Sequence, residues 1–211
     1  MPSIDWYFDF VSPFSYLAFE TLERHLPDAD IQYRPVVLGG LLAHWENRGP
    51  AEIPPKRAFT YAHCIWLAER HGVAYRMPSA HPFNPIPLLR AALAAGPTRD
   101  VVGTLFRFVW RDGLLPQDDH AWRACLESLG VSEEDLTAPA VKAALREATD
   151  SAAARGIFGV PTLCVGADRG VQSFWGLDAM PMAADYLAGH PVFDSPEYAR
   201  AAHLPYGLPR R

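Results

Sequence analysis

The chain has 211 residues, 49% of them hydrophobic, with a formal net charge of −5; this is enough apolar content for a packed core in one large domain or one domain carrying an insertion. The acidic balance, with no Lys/Arg-rich block, argues against nucleic acid as a partner. No apolar run reaches membrane-spanning length, and the N-terminus lacks the basic start, apolar stretch and small-residue cleavage site of a signal peptide, so the expectation is a cytoplasmic protein with no membrane partner. Along the chain, the β-prone run Ile4-Asp5-Trp6-Tyr7-Phe8 breaks at Ser12-Pro13 and is followed by Tyr16-Leu17-Ala18-Phe19-Glu20-Thr21-Leu22. This reads as strand, loop and a helix over about 14–26. Ser12 then stands at the positive end of that helix, where a hydroxyl donor can hold a thiolate that arrives with a ligand. Ile31 to Leu38 reads as a second strand parallel to the first, which makes a right-handed βαβ unit. From Gly39 onward Pro50, Pro54, Pro55, Pro78, Pro82, Pro85 and Pro87 punctuate loops between helical patterns at about 57–72, 86–95, 98–112, 119–129 and 138–155.

After Gly156 the pattern reverts. Pro161-Thr162-Leu163-Cys164-Val165 is a strand, Gly166 to Gly170 a turn, Gln172 to Trp175 a second strand, and Asp178 to Leu187 a helix capped by Asp178. The two ends together supply βαβ and ββα. The expected class is α/β, a thioredoxin-like domain made of residues 1–40 and 156–190 with an all-helical domain inserted over 41–155. Residues 191–211, with Pro196, Pro205, Gly207 and Pro209, are expected to form an extended C-terminal tail over the surface.

Cys64, Cys125 and Cys164 are odd in number, widely separated and without a C-x-x-C pair, so they read as reduced packing residues. The eight histidines, among them His44, His63, His71 and His81, lack the paired spacing of a metal site, and no metal is expected. Trp6, Trp66, Trp110 and Trp122 read as core. Ser15 reads as helix surface and Tyr16 as core packing.

Six segments carry a resemblance spanning nearly the whole chain in order: Phe8-Asp9-Phe10-Val11-Ser12-Pro13-Phe14-Ser15-Tyr16, Asn47 through Lys56, Phe83-Asn84, Leu105 to Trp110, Gly156-Ile157-Phe158-Gly159-Val160-Pro161-Thr162, and Phe174-Trp175-Gly176-Leu177-Asp178. In these the chain resembles the 2-hydroxychromene-2-carboxylate isomerases, relatives of the kappa-class glutathione transferases, both related to bacterial periplasmic disulfide oxidoreductases. The resemblance implies glutathione as cofactor, with Ser12 beside its sulfur as the catalytic hydroxyl and a cis Val160-Pro161 bond offering the Val160 backbone to its cysteine residue. It implies further that Leu177 and Asp178 hold the γ-glutamyl end and that Asn47 and Lys56 reach the glycyl carboxylate and nearby substrate. Phe83, Asn84 and Trp110 are candidate substrate contacts in an interdomain cleft. Ala179 departs from the pattern, since the family usually has arginine there. The implied activity is isomerisation of 2-hydroxychromene-2-carboxylate to trans-o-hydroxybenzylidenepyruvate by reversible thiolate addition, in a homodimer acting on a small aromatic carboxylate. Two alternatives stand beside it: a kappa-like transferase that conjugates an electrophile, and a non-catalytic binding module on the same fold. Disulfide exchange is disfavoured, because Ser12 and Ser15 occupy the two positions that need cysteine.

Overall fold

β1 (Ser3–Phe8), β2 (Asp30–Pro35), β3 (Thr162–Ala167) and β4 (Gly170–Trp175) form one sheet in the order β2-β1-β3-β4 in the computed structural model, which describes residues 3–167, 170–205 and 207. β1 runs parallel to β2 from Ser3↔Asp30 to Phe8↔Pro35. It runs antiparallel to β3, with Tyr7 opposite Thr162, and β3 pairs antiparallel with β4. The expected βαβ and ββα halves thus meet in one mixed sheet. Asp168 and Arg169, at the tip of the expected turn, lie outside the described residues, as do Met1, Pro2, Tyr206 and residues 208–211 of the tail.

Side chains alternate across the sheet. Ile4, Trp6 and Phe8 with Leu163 and Val165 enter the larger core, whereas Tyr7 and Cys164 face a smaller one with Val36, Leu41, Ala152 and Ile157. The larger core joins the sheet to α1 (Pro13–His25) and to the helices between the two halves: α3 (Pro54–His71), α4 (Ile86–Ala95), α5 (Arg99–Trp110) and α6 (Asp119–Ser128). Its centre is Phe106 of α5, fully buried, whose ring lies 4.7 Å from that of Phe10, 5.5 Å from Phe8, 5.6 Å from Phe19 and 6.1 Å from Trp6 and Tyr16. Aromatic residues from β1, α1 and the helical segment therefore share one cluster of tilted and edge contacts. The smaller core is closed by α2 (Leu38–His44) and α8 (Pro139–Ala154).

Three boundaries differ from the sequence reading. β2 stops at Pro35, not Leu38, and the chain turns into α2, a helix that Leu38-Gly39-Gly40 conceals because glycine is a poor helix former. Tertiary contacts impose it: Thr149 Oγ1 accepts from the Val37 N–H at 3.1 Å, and a Cβ on Gly40 would sit 2.9 Å from the Thr149 methyl. α7 (Glu133–Thr137) lies in what read as a connector, and its Ser132–Asp135 capping box is the local signal for it. The helix after β4, α9 (Met180–Leu187), starts two residues later than expected; its N-cap is Ala179, so Asp178 does not cap it. In the tail, Pro191–Asp194 forms a 3₁₀ turn and Pro196–Ala201 a short helix, α10, both short elements. Phe193 explains this, since its ring packs against those of Phe174, Tyr186 and Tyr198. Trp66, read as core, is instead 54% exposed on α3. All three cysteines are buried and unpaired, and burial pushes the Cys64 thiol up to about 12 and that of Cys125 to about 11.

Between β1 and α1 the chain is buried around Asp9, which is itself fully buried. Asp9 Oδ1 accepts from the Val11 N–H at 3.0 Å and Oδ2 from the Leu38 N–H at 2.8 Å, joining the loop to the start of α2. Burial pushes the Asp9 carboxyl up to about 7, against the lowering effect of its backbone N–H partners.

Phe106→Ala is expected to cost about 3–5 kcal/mol of stability, measured as a fall in the urea midpoint, because it empties the centre of the shared cluster. Asp9 sets a pH dependence. The unfolded chain ionises this group near pH 4 and the folded protein near 7, so the stability it contributes in acid is lost as the pH rises between those values, by about 4 kcal/mol. In urea titrations from pH 4 to 8 that slope is expected in the wild type and absent in Asp9→Asn; parallel slopes would show that another group carries it.

Candidate active site

Ser12 precedes Pro13, which opens α1 where a missing N–H costs nothing, and with φ −90° and ψ 112° it is the helix N-cap. Its Oγ accepts from the Ser15 N–H at 3.2 Å and donates to no described residue. Ser12 is 6% exposed, and no acidic residue sits in the first turn, so the positive end of α1 is uncompensated. Ser15, one turn further on, is fully buried rather than on the helix surface, and its Oγ has no hydrogen-bond partner among the described residues.

The loop carrying Ser12 is held from the helical segment. Trp110 Nε1 donates to the Phe10 carbonyl at 2.8 Å, and His81 Nε2 lies 2.8 Å from the Val11 carbonyl. A carbonyl only accepts, so Nε2 carries the proton. Tyr61 Oη lies 2.8 Å from His81 Nδ1 and 2.9 Å from the His81 carbonyl. Burial lowers the His81 pKa, against the raising effect of its bond to Val11, which keeps the ring neutral with Nδ1 as an acceptor. Trp110 is fully buried, with Phe83 and His81 packed on it, so its indole positions the loop and does not line a substrate cleft. Asn84 is exposed, and its side-chain oxygen accepts from the Ile86 N–H. Sequence reasoning missed Asp9 and His81 as site supports. Asp9 shows one signal, a carboxylate inside the apolar run Phe8 to Val11; His81 shows none.

Opposite this loop, at the start of β3, the Val160-Pro161 peptide is cis, as expected. The pairing of Tyr7 with Thr162 brings the end of β1, which leads to Ser12, and this peptide to the same edge of the sheet. The Val160 N–H and C=O make no hydrogen bond to any described residue. The Pro161 carbonyl accepts from the Gly176 N–H at 2.9 Å, which draws Leu177 and Asp178 to the same edge. Gly176 sits at φ 102°, and a Cβ there would fall 2.5 Å from Asp178 Oδ1. Only glycine fits. The Asp178 carboxylate is exposed and forms no hydrogen bond or ion pair with a described residue.

A cleft of about 480 Å³ with mostly apolar walls opens here, and Phe14, Val160, Pro161, Trp175, Leu177 and Asp178 are among its walls. Asn47 and Lys56 do not line it; both are exposed, Asn47 accepting from the Arg48 N–H and Lys56 in the first turn of α3. The structure thus brings together Val160, Pro161, Leu177 and Asp178 in one cleft beside the helix that Ser12 caps, while Ser12 itself, Asn47, Lys56, Phe83, Asn84 and Trp110 are not among its lining residues.

Residues 3–188 match the DSBA-like thioredoxin domain family. The chain is 32% identical over 202 residues to a 2-hydroxychromene-2-carboxylate isomerase of Sphingobium xenophagum, covering 88% of this chain and 97% of that protein. It is 30% identical over 213 residues to glutathione S-transferase kappa 2 of Caenorhabditis elegans, covering 88% and 91%. Its structure superimposes on that of a 2-hydroxychromene-2-carboxylate isomerase with a TM-score of 0.77 at 25% identity, covering 93% of this chain and 98% of the other. The chain is therefore a member of the DSBA-like thioredoxin domain family, in the branch of enzymes that holds the 2-hydroxychromene-2-carboxylate isomerases and the kappa-class glutathione S-transferases.

Proposed function

We propose that the protein is a glutathione-dependent isomerase of 2-hydroxychromene-2-carboxylate-type intermediates of aromatic degradation, cytoplasmic and homodimeric. The observation that carries this reading is an apolar cleft with two uncommitted polar groups in its walls, the Val160 backbone N–H and C=O and the Asp178 carboxylate, beside the helix whose N-cap is Ser12, with a hydroxyl proton given to no described residue. Glutathione fits that set. Its peptide edge pairs with Val160 as a short added strand, its γ-glutamyl ammonium meets Asp178, and its sulfur meets Ser12 at the helix dipole.

Bound glutathione supplies the thiolate that adds to the conjugated substrate and leaves once the bond has rotated. The protein's own part is electrostatic and positional. Ser12 donates its Oγ–H toward negative charge on sulfur, and the positive end of α1 faces the same charge, which lowers the pKa of a thiol near them. Val160 and Asp178 fix the direction from which the sulfur is presented. Trp175, Phe14 and Pro161 keep the walls apolar and suited to an aromatic ring. Lys56 and Asn47, outside the cleft walls, are assigned to the glycyl carboxylate and nearby substrate, and Ala179 leaves the family's usual cation absent. A second reading, a kappa-like transferase that leaves the product attached to glutathione, is supported by the 30% identity to the kappa 2 enzyme and uses the same groups.

Calorimetric titration with glutathione, followed together with the ultraviolet thiolate band, tests the assignment. The wild type is expected to bind and to develop the band. Ser12→Ala should bind within a few-fold but lose the band, and Asp178→Ala should weaken binding by about tenfold, the worth of one charge-assisted contact. A wild type that does not bind at millimolar glutathione removes the reading. Incubation with 2-hydroxychromene-2-carboxylate and with model electrophiles separates isomerase from transferase, since only the former returns free glutathione.

A further inference from the structure

The cleft does not end at the thiol position. From α1 both Phe14 and His25 line it, the first and last turns of the helix, so it runs along α1 for about three turns, about 16 Å. α3 forms one wall with His63, Leu67 and His71, which share one face at a four-residue spacing. Outside them, Phe59, His63, Trp66 and Arg70 stack in succession along α3, with Phe59 and His63 rings 5.5 Å apart, His63 and Trp66 rings 6.0 Å apart, and the Arg70 guanidinium 5.4 Å from the Trp66 ring.

The far end has a distinct chemistry. His25 and His71 are the last residues of α1 and α3, and the two helix ends are tied by Arg24 Nη1, which donates to the His71 carbonyl at 2.9 Å. Neither Arg24 nor Arg70 forms an ion pair with a described carboxylate. Burial above all, and then the like charges of His71 and Arg24, lower the His25 pKa. Two histidines in the wall, with Arg24 bridging their helix ends, therefore gather at this end of the cleft, whose one lining carboxylate is that of Asp178.

We infer that the cleft binds an elongated aromatic compound carrying an anionic group, such as a carboxylate, at the end remote from the reacting bond, with His25 and His71 as the distal anion site and Arg24 behind them. The inference rests on the reading of the near end as the thiol site and adds the substrate's length and the position of its charge. It makes the distal site a specificity element, because a compact acceptor fills only the portion beside Val160 and Trp175.

The test compares two probes that differ only in an anion: 8-anilinonaphthalene-1-sulfonate and N-phenyl-1-naphthylamine, the same aromatic body without the sulfonate. Binding is followed by fluorescence at about pH 5.5, below the ordinary histidine pKa. The wild type should prefer the sulfonate by about tenfold. His25→Gln/His71→Gln keeps side-chain size and the His71 backbone bond to Arg24; it should bring the ratio close to one and leave the neutral probe unaffected. Equal binding of both probes by the wild type, or a preference that survives in the double variant, overturns the proposal. Loss of both probes in the variant, with unchanged circular dichroism, also overturns it, since the site would then be apolar packing alone. Glutathione titration of the same two proteins is independent: unchanged binding is expected in the variant, and absent binding in the wild type would sink the thiol reading while the probe ratio still decides the distal site.

Discussion

Ser12 has a defined position because the backbone leading to it has its polar groups satisfied from within the protein. Between Asp9 and Ser12, the Phe10 carbonyl takes the Trp110 indole, the Val11 carbonyl takes His81, the Val11 N–H goes to the Asp9 carboxylate and the Ser12 N–H to the Asp9 carbonyl. A loop buried this deeply leaves each unpaired group costing about 1–3 kcal/mol. Removing these partners would therefore release the loop toward water and carry the N-cap of α1 with it. Across the cleft the situation is reversed, with the Val160 amide and carbonyl and the Asp178 carboxylate left for something other than the protein. A rigid, internally satisfied support on one side and an unsatisfied polar edge on the other is the arrangement of a preorganised binding site.

What could be read in the sequence divides along the range of the interactions involved. The four strands, α1 and the long helices follow from local period, from Ser12-Pro13 and from proline and glycine punctuation. The cis peptide at Val160-Pro161 follows from the resemblance. The features that escaped depend on residues far apart in sequence. α2 forms across two glycines because Thr149 and Asp9 claim the N–H groups at its start. His81 shows nothing locally of its role at Val11, seventy positions earlier. Trp110 read as substrate contact and as core; its burial fits the second, and its indole N–H, bound to the Phe10 carbonyl, adds a support for the loop that neither reading held. Asp178 carries a good capping residue's chemistry, yet the helix begins beyond it because Gly176 bends the chain at positive φ and leaves the carboxylate standing over that glycine.

The division into a thioredoxin-like part and a helical insertion also takes on a physical meaning. Phe106 sits among rings contributed by β1 and α1, so the two parts share one core instead of meeting across a separable interface. The helical segment is as much a part of the support beneath Ser12 as the sheet is.

The anchoring of the Ser12 loop has a consequence for the order in which the molecule is built. β1 and α1 are synthesised before β2, and β1 can pair with it soon afterwards, but their connecting loop waits for partners at positions 38, 81 and 110. Contacts of such sequence separation close slowly and late. The opposing edge, at Val160 and Asp178, comes later still. A nascent chain that has reached only β2 thus holds the helix and its N-terminal serine long before it holds the cleft beside them.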